Sequence, residues 1–245
     1  MVLQGINRGI KGVGTHIEKR MKKILLTILT IGILAFLGYC GIEMSQLANG
    51  VKKDTVRLEN FRLDNKIQNG DIIFQTSKSS QSKAIQLATN SKYSHMGIIF
   101  ENDGQFFVYE AVQPVKLTPL KEWINRGEND HYVIKRLENA DQVLDSSTLT
   151  KMKKIGEQFK GKPYDIYFEW SDEKIYCSEL VWKIYQQATG IEIGQLEQLS
   201  DFDLTNDIVK AKMKERYGNN IPMDEKVISP AAMFSSDKLL TVEEK

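Results

Sequence analysis

The chain's thiol and imidazole side chains are few: two cysteines and three histidines in 245 residues. Cys40 lies inside an apolar N-terminal stretch, so the folded body holds one thiol, Cys177, and cannot form an internal disulfide. In an exported protein a lone thiol is an oxidation liability unless it is buried or used. Cys177 sits in Tyr176-Cys177-Ser178-Glu179-Leu180, where a helical pattern begins. Cysteine attacks as thiolate, and the unpaired N–H groups and dipole of a helix N-terminus favour that form. The bland alternative is a buried structural cysteine, the commoner fate of a free thiol.

A thiolate catalyst also needs a base. His95 opens a strand-like run in Tyr93-Ser94-His95-Met96-Gly97, whereas His131 follows the charged Glu128-Asn129-Asp130 and reads as a surface loop. His16 lies in the basic N-terminal flank. Asp103-Gly104 between two apolar runs signals a two-residue hairpin turn. That register sets Gly97 opposite Glu110 and His95 opposite Val112, so His95 and Glu110 are diagonal neighbours on one face. Glu110 can then accept the imidazole N–H and fix its tautomer, the third role in a Cys-His-acid arrangement. A one-residue bulge would turn Glu110 away. As a mere solvated strand carboxylate Glu110 would be oddly placed, beside the apolar Phe106-Phe107-Val108-Tyr109.

Other chemistries find no pattern: there is no Cys-x-x-Cys, His-Glu-x-x-His, Gly-x-Ser-x-Gly or phosphate-cradling glycine loop. So few histidines argue against a protein-ligated zinc site, and the expected chemistry needs no cofactor.

Several elements must position these residues. Gly70-Asp71 precedes a strand-like run, 72–76, and the apolar spacing of Ala84, Ile85, Leu87 and Ala88 predicts a short helix within 77–91. Strands are expected at 96–100, 106–111 and 132–137. A helix with apolar positions Leu149, Met152, Ile155 and Phe159 should stop at Gly161, with Pro163 beyond. Cys177 opens the next, with Leu180, Val181, Ile184, Tyr185 and Ala188 at helical spacing and Gly190 at its end. A further helix is expected at 206–217, and Ser229-Pro230 reads as an N-cap followed by proline at the first helical position.

Composition is that of an ordinary globular chain, and 33 Lys+Arg against 32 Asp+Glu leaves no positive field suited to nucleic acid. From Ile24 to Ile42 run 19 residues without a charge, preceded by Arg8, Lys11, Lys19, Arg20, Lys22 and Lys23. This is the pattern of a signal sequence or signal anchor, with the basic flank kept in the cytoplasm. Met21-Lys22-Lys23 makes a natural start, with 1–20 an upstream extension. Three fates compete: retention as a spanning helix, lipidation at Cys40 within Leu37-Gly38-Tyr39-Cys40, or cleavage. The expected organisation is a basic flank at 1–23, the apolar segment at 24–42, a tether at 43–66 and one folded domain at 67–245.

Five pieces in this order, Gly70-Asp71, Ser94-His95-Met96-Gly97-Ile98, Tyr109-Glu110-Ala111, Gly161-Lys162-Pro163-Tyr164-Asp165 and Tyr176-Cys177-Ser178-Glu179-Leu180-Val181, resemble the permuted papain-like amidases of the NlpC/P60 superfamily, the YiiX/YaeF-like group. In the unpermuted family the cysteine-bearing helix precedes the histidine-bearing strands; here the order is reversed. The resemblance implies an α+β papain-like fold with an antiparallel sheet against the Cys177 helix. It also implies a Cys177-His95-Glu110 site and a hydroxyl from Tyr164 near the oxyanion. Tyr-Cys-Ser-Glu stands where the unpermuted family has Asp-Cys-Ser-Gly. Envelope location makes a cell-wall peptide or an acyl-amide the expected substrate, and peptidase or amidase, acyltransferase and silent binding module all remain open.

Overall fold

A computed structural model describes residues 66–245 throughout and, between 21 and 52, all but residues 24, 25, 28, 32, 33 and 35. The chain divides into two units, Met1–Arg62 and Leu63–Lys245. In the first, helix α1, Leu29–Lys52, is 24 residues long and apolar enough to cross a membrane. It does not stop at Ile42, where the tether was expected to begin. Glu43, Met44, Gln46, Leu47 and Ala48 are all good helix formers and carry it on to Lys52. The basic residues before Met21, the proposed upstream extension and the tether from 53 to 65 lie outside the described residues.

The second unit begins with β1 (Ile72–Gln75), α2 (Ser82–Thr89), β2 (His95–Asn102), β3 (Gln105–Glu110), β4 (Lys116–Pro119) and α3 (Leu120–Asn125). It continues with β5 (Val133–Leu137), α4 (Ala140–Val143), α5 (Ser146–Phe159) and α6 (Cys177–Thr189). Last come β6 (Glu197–Gln198), α7 (Asp207–Tyr217), β7 (Lys226–Val227), α8 (Pro230–Phe234) and β8 (Leu239–Glu244). Six strands form one antiparallel sheet in the order β4-β3-β2-β1-β5-β8, and β6 pairs with β7 apart from it. The architecture is α+β.

Strand periodicity divides the core. Ile72, Phe74, Met96 and Ile98 face α6, where Leu180, Val181, Ile184 and Tyr185 meet them. Their intervening neighbours Ile73 and Ile99 join Val108, Trp123 and Ile134 on the opposite face. Burying each such side chain favours folding by about 1.5–3 kcal/mol, so both faces resist a register slip.

The β2–β3 register is the one the turn residues imply, with Asn102 opposite Gln105 and Ile98 opposite Tyr109. Gly97 fills a close approach: a Cβ there would lie 2.4 Å from Val108 Cγ1 and 2.7 Å from the Tyr109 carbonyl oxygen. On the other face Tyr109 donates its hydroxyl to the Gly156 carbonyl at 2.5 Å, tying β3 to α5. Helix α6 ends at Gly190, whose φ of 77° lies in the left-handed region that glycine favours.

Candidate active site

Cys177 is the first residue of α6 and is 2% exposed. Its neighbours hold it by gripping one residue of a distant segment. The Ile228 N–H donates to the Tyr176 hydroxyl oxygen at 3.1 Å, and the Ser178 hydroxyl donates to the Ile228 carbonyl at 2.8 Å. Glu179, buried one turn in, pairs with Lys183 at 2.8 Å; burial outweighs that attraction and pushes its carboxyl up to about 8. The start of α6 is therefore fixed by side chains on both sides of the thiol.

His95, the first residue of β2, is buried and lies against Trp123, ring centroids 5.8 Å apart. Its Nε2 meets Glu110 Oε2 at 2.6 Å, and Cys177 is near enough to act on the imidazole's charge, which leaves Nδ1 as the ring nitrogen not engaged by Glu110. Burial pulls the imidazole pKa down, but the nearness of Cys177 and the bond to Glu110 outweigh it and carry the value up to about 9. Glu110 is fully buried, and its second oxygen accepts from Thr118 at 2.6 Å and from Arg126. Burial would raise its pKa; His95, Thr118 and Arg126 together hold it below the usual carboxylate range. The arrangement places a base beside a thiol at a helix N-terminus, able to take up a proton and return it through one ring nitrogen.

Tyr164 reaches the same place because its strand-like segment runs beside the residues just before α6. It forms a parallel bridge with Ile175, and its N–H donates to Gln113 at 2.7 Å. The hydroxyl oxygen accepts from Gln81 Nε2 at 2.9 Å. Burial first, then the nearness of Cys177, raises its pKa well above that of an ordinary phenol, so it keeps its proton. Cys177 and Tyr164 open onto a cavity of about 720 Å³, including its solvent-open mouth. The walls come from α2, α7 and the segment between α6 and α7, with Ile85, Ala88, Phe202, Leu204, Val209 and Met213 making them apolar.

All four residues singled out in the sequence, Cys177, His95, Glu110 and Tyr164, thus converge. His131 stays apart, its ring against Tyr93 at 6.4 Å. Four partners went unread: Thr118, Arg126, Trp123 and Gln81. Thr118 and Arg126 reach Glu110 only because β4 pairs with β3, setting Lys116 opposite Glu110, and α3 follows. The one sequence signal was the alternation Val115, Leu117, Pro119 across 115–119.

A family model described as permuted papain-like amidase enzyme, YaeF/YiiX, C92 family, matches residues 66–243. An uncharacterized protein of Escherichia coli strain K12, YiiX, is 51% identical over 175 residues, 71% of this chain and 85% of that one. A crystal structure titled as metalloprotein YiiX from Escherichia coli O157:H7 superposes with a TM-score of 0.70 at 50% identity, over 74% of this chain and 98% of that one. Among the described residues here, no group of three His, Cys, Asp or Glu side chains is gathered to hold a metal ion, and the Glu110 oxygens are already taken by Thr118, Arg126 and His95. With the histidine and acid strands ahead of the cysteine helix, a six-stranded antiparallel sheet behind them and a family match across the second unit, the chain belongs to the permuted papain-like amidases of the YaeF/YiiX group.

Proposed function

We propose that this chain is a thiol amidase whose nucleophile is Cys177. The sulfur attacks an amide carbonyl, and the carbonyl electron pair moves onto oxygen. The Cys177 backbone N–H and the Tyr164 hydroxyl stabilise that oxyanion. Its collapse breaks the C–N bond as His95 Nδ1 hands its proton to the departing amine. His95 then takes a proton from water, which attacks the thioester and frees the acid. Glu110 orients His95 without itself becoming protonated. Thr118 and Arg126 hold Glu110, and no step runs through a metal or cofactor.

The observation that carries this reading is one imidazole bonded at 2.6 Å to a buried carboxylate and near enough to Cys177 for the thiol to act on its charge. Alkylation tests it. Cys177 should react with iodoacetamide at pH 7 at least tenfold faster than a free thiol, and His95→Ala should remove the advantage. Equal rates in both proteins would make this a silent binding module.

For the substrate, helix α1 supports a place at the membrane, with residues 67–245 as the hydrolase domain outside the cytoplasm and cell-envelope peptides as its amides. A lipid-type acyl group is a second reading, favoured by the apolar walls beside Cys177. Transfer rather than hydrolysis would appear as product formed only with an added amine or alcohol acceptor.

A further inference from the structure

The proposed oxyanion site depends on which way one hydroxyl hydrogen points, and the side chains behind Tyr164 decide that. Arg216, in the last turn of α7, donates from Nη2 to Gln81 Oε1 at 2.5 Å. A guanidinium has donors only, so the Gln81 amide must turn its oxygen toward Arg216 and its NH2 toward Tyr164. That NH2 meets the phenolic oxygen at 2.9 Å. Tyr164 is thereby made the acceptor in this contact, and its own hydrogen must point elsewhere. Among the described residues no acceptor engages it, and the space the side chain shares with Cys177 is the cavity. Arg216 is itself steadied over the Phe168 ring, 4.9 Å from the centroid.

We infer that Arg216 and Gln81 are positioning residues that set the polarity of the oxyanion site: Arg216 fixes the Gln81 amide, and Gln81 directs the Tyr164 hydrogen toward the carbonyl under attack by Cys177. Without Arg216, the amide is free to rotate and present its oxygen to Tyr164, which would capture the hydrogen and remove the donor. This inference rests on the thiol-amidase reading. The rival explanation is mechanical: the same contacts link α7 to the start of α2 and only close the cavity.

Two reagents acting on the same sulfur separate these. A p-nitrophenyl acetate molecule acylates a thiolate through a tetrahedral oxyanion and releases p-nitrophenolate. Iodoacetamide alkylates it by displacing iodide at a saturated carbon, where no oxyanion forms. Gln81→Glu is the informative variant, because a carboxylate keeps the Arg216 contact yet offers Tyr164 only an acceptor. In the full chain, Gln81→Glu should slow acylation by about tenfold or more, as much as Tyr164→Phe, and leave alkylation within about twofold of the parent. Adding it to Tyr164→Phe should cause no further loss. Arg216→Met should slow acylation in the same selective way, and Arg216→Lys, still a pure donor, should restore most of the rate.

Parallel loss of both reactions in Gln81→Glu would assign the contacts a mechanical role and overturn the inference. So would unchanged acylation, or losses from Gln81→Glu and Tyr164→Phe that multiply. A parent protein whose Cys177 reacts with neither reagent would remove the thiol-amidase reading itself, and this inference with it.

Discussion

At the scale of single residues, His95 couples the site's chemistry to the stability of the fold. Its pKa of about 9 in the folded protein stands above the ordinary 6.5. The native state therefore binds a proton that the unfolded chain has released, and stability depends on pH in that window. The contribution is fully present below about pH 6.5 and is lost as pH rises through about 9. Glu110 works in the opposite sense: its lowered pKa contributes stability above the ordinary 4.5, which is lost as pH falls through the depressed value. Glu179 acts in the same sense as His95: raised by burial to about 8, its carboxyl contributes stability fully present below the ordinary 4.5 and lost as pH rises through about 8. Urea midpoints measured from pH 5 to 10 should fall as pH rises toward 9 in the parent, and His95→Gln should make the fall between 6.5 and 9 shallower, leaving the share that Glu179 carries up to about 8. An unchanged slope in His95→Gln would mean that some other group carries the pH dependence.

At the scale of elements, the β2–β3 hairpin sets His95 against Glu110, and Gly97 is where its tolerance is smallest. An added Cβ would meet a side-chain carbon at 2.4 Å, a carbonyl oxygen at 2.7 Å and Glu110 Cβ at 3.4 Å. Relief requires the strands to part beside the carboxylate that holds the imidazole. Gly97→Ala should thus cost about 1–3 kcal/mol in urea unfolding and also slow Cys177 alkylation, two effects that a distant surface substitution would not combine. This hairpin was legible because its signal is local: Asp103 and Gly104 both have positive φ, 51° and 76°, as the turn requires. Helix α6 was legible for the same reason, from the spacing of Leu180, Val181, Ile184 and Tyr185 and its terminal Gly190. The Lys116–Asn125 stretch was not. Strand β4 is a four-residue edge strand ending in proline, and α3 starts after Pro119 with no side-chain cap. Strand β8 was missed because its partner β5 is distant in sequence, and nothing local announces the pairing. Thr118 and Arg126 were hidden with these elements, so the acid was readable while its supports were not.

At the scale of the whole molecule, the division into two units predicts where the chain can be cut. Leu63–Lys245 contains the entire sheet and every side chain assigned to the site. Its first described residues already belong to the core. The Lys66 ammonium pairs with Glu243 on β8, the Lys66 carbonyl accepts from Arg136 at 2.7 Å, and Ile67 is buried with Ile73, Ile99 and Trp123. A protein starting at residue 63 should therefore remain in the soluble fraction, melt within a few degrees of the full chain and keep the same Cys177 alkylation rate. The full chain, carrying α1, should sediment with membranes. Starting instead at residue 70 deletes Ile67 and leaves the Glu243 carboxylate without its Lys66 ammonium. Losing the isoleucine burial alone costs about 1.5–3 kcal/mol, enough to lower the melting temperature by several degrees. The comparison is decided by two melting curves: if both truncations melt alike, residues 63–69 lie outside the folding unit and the domain begins at Gly70.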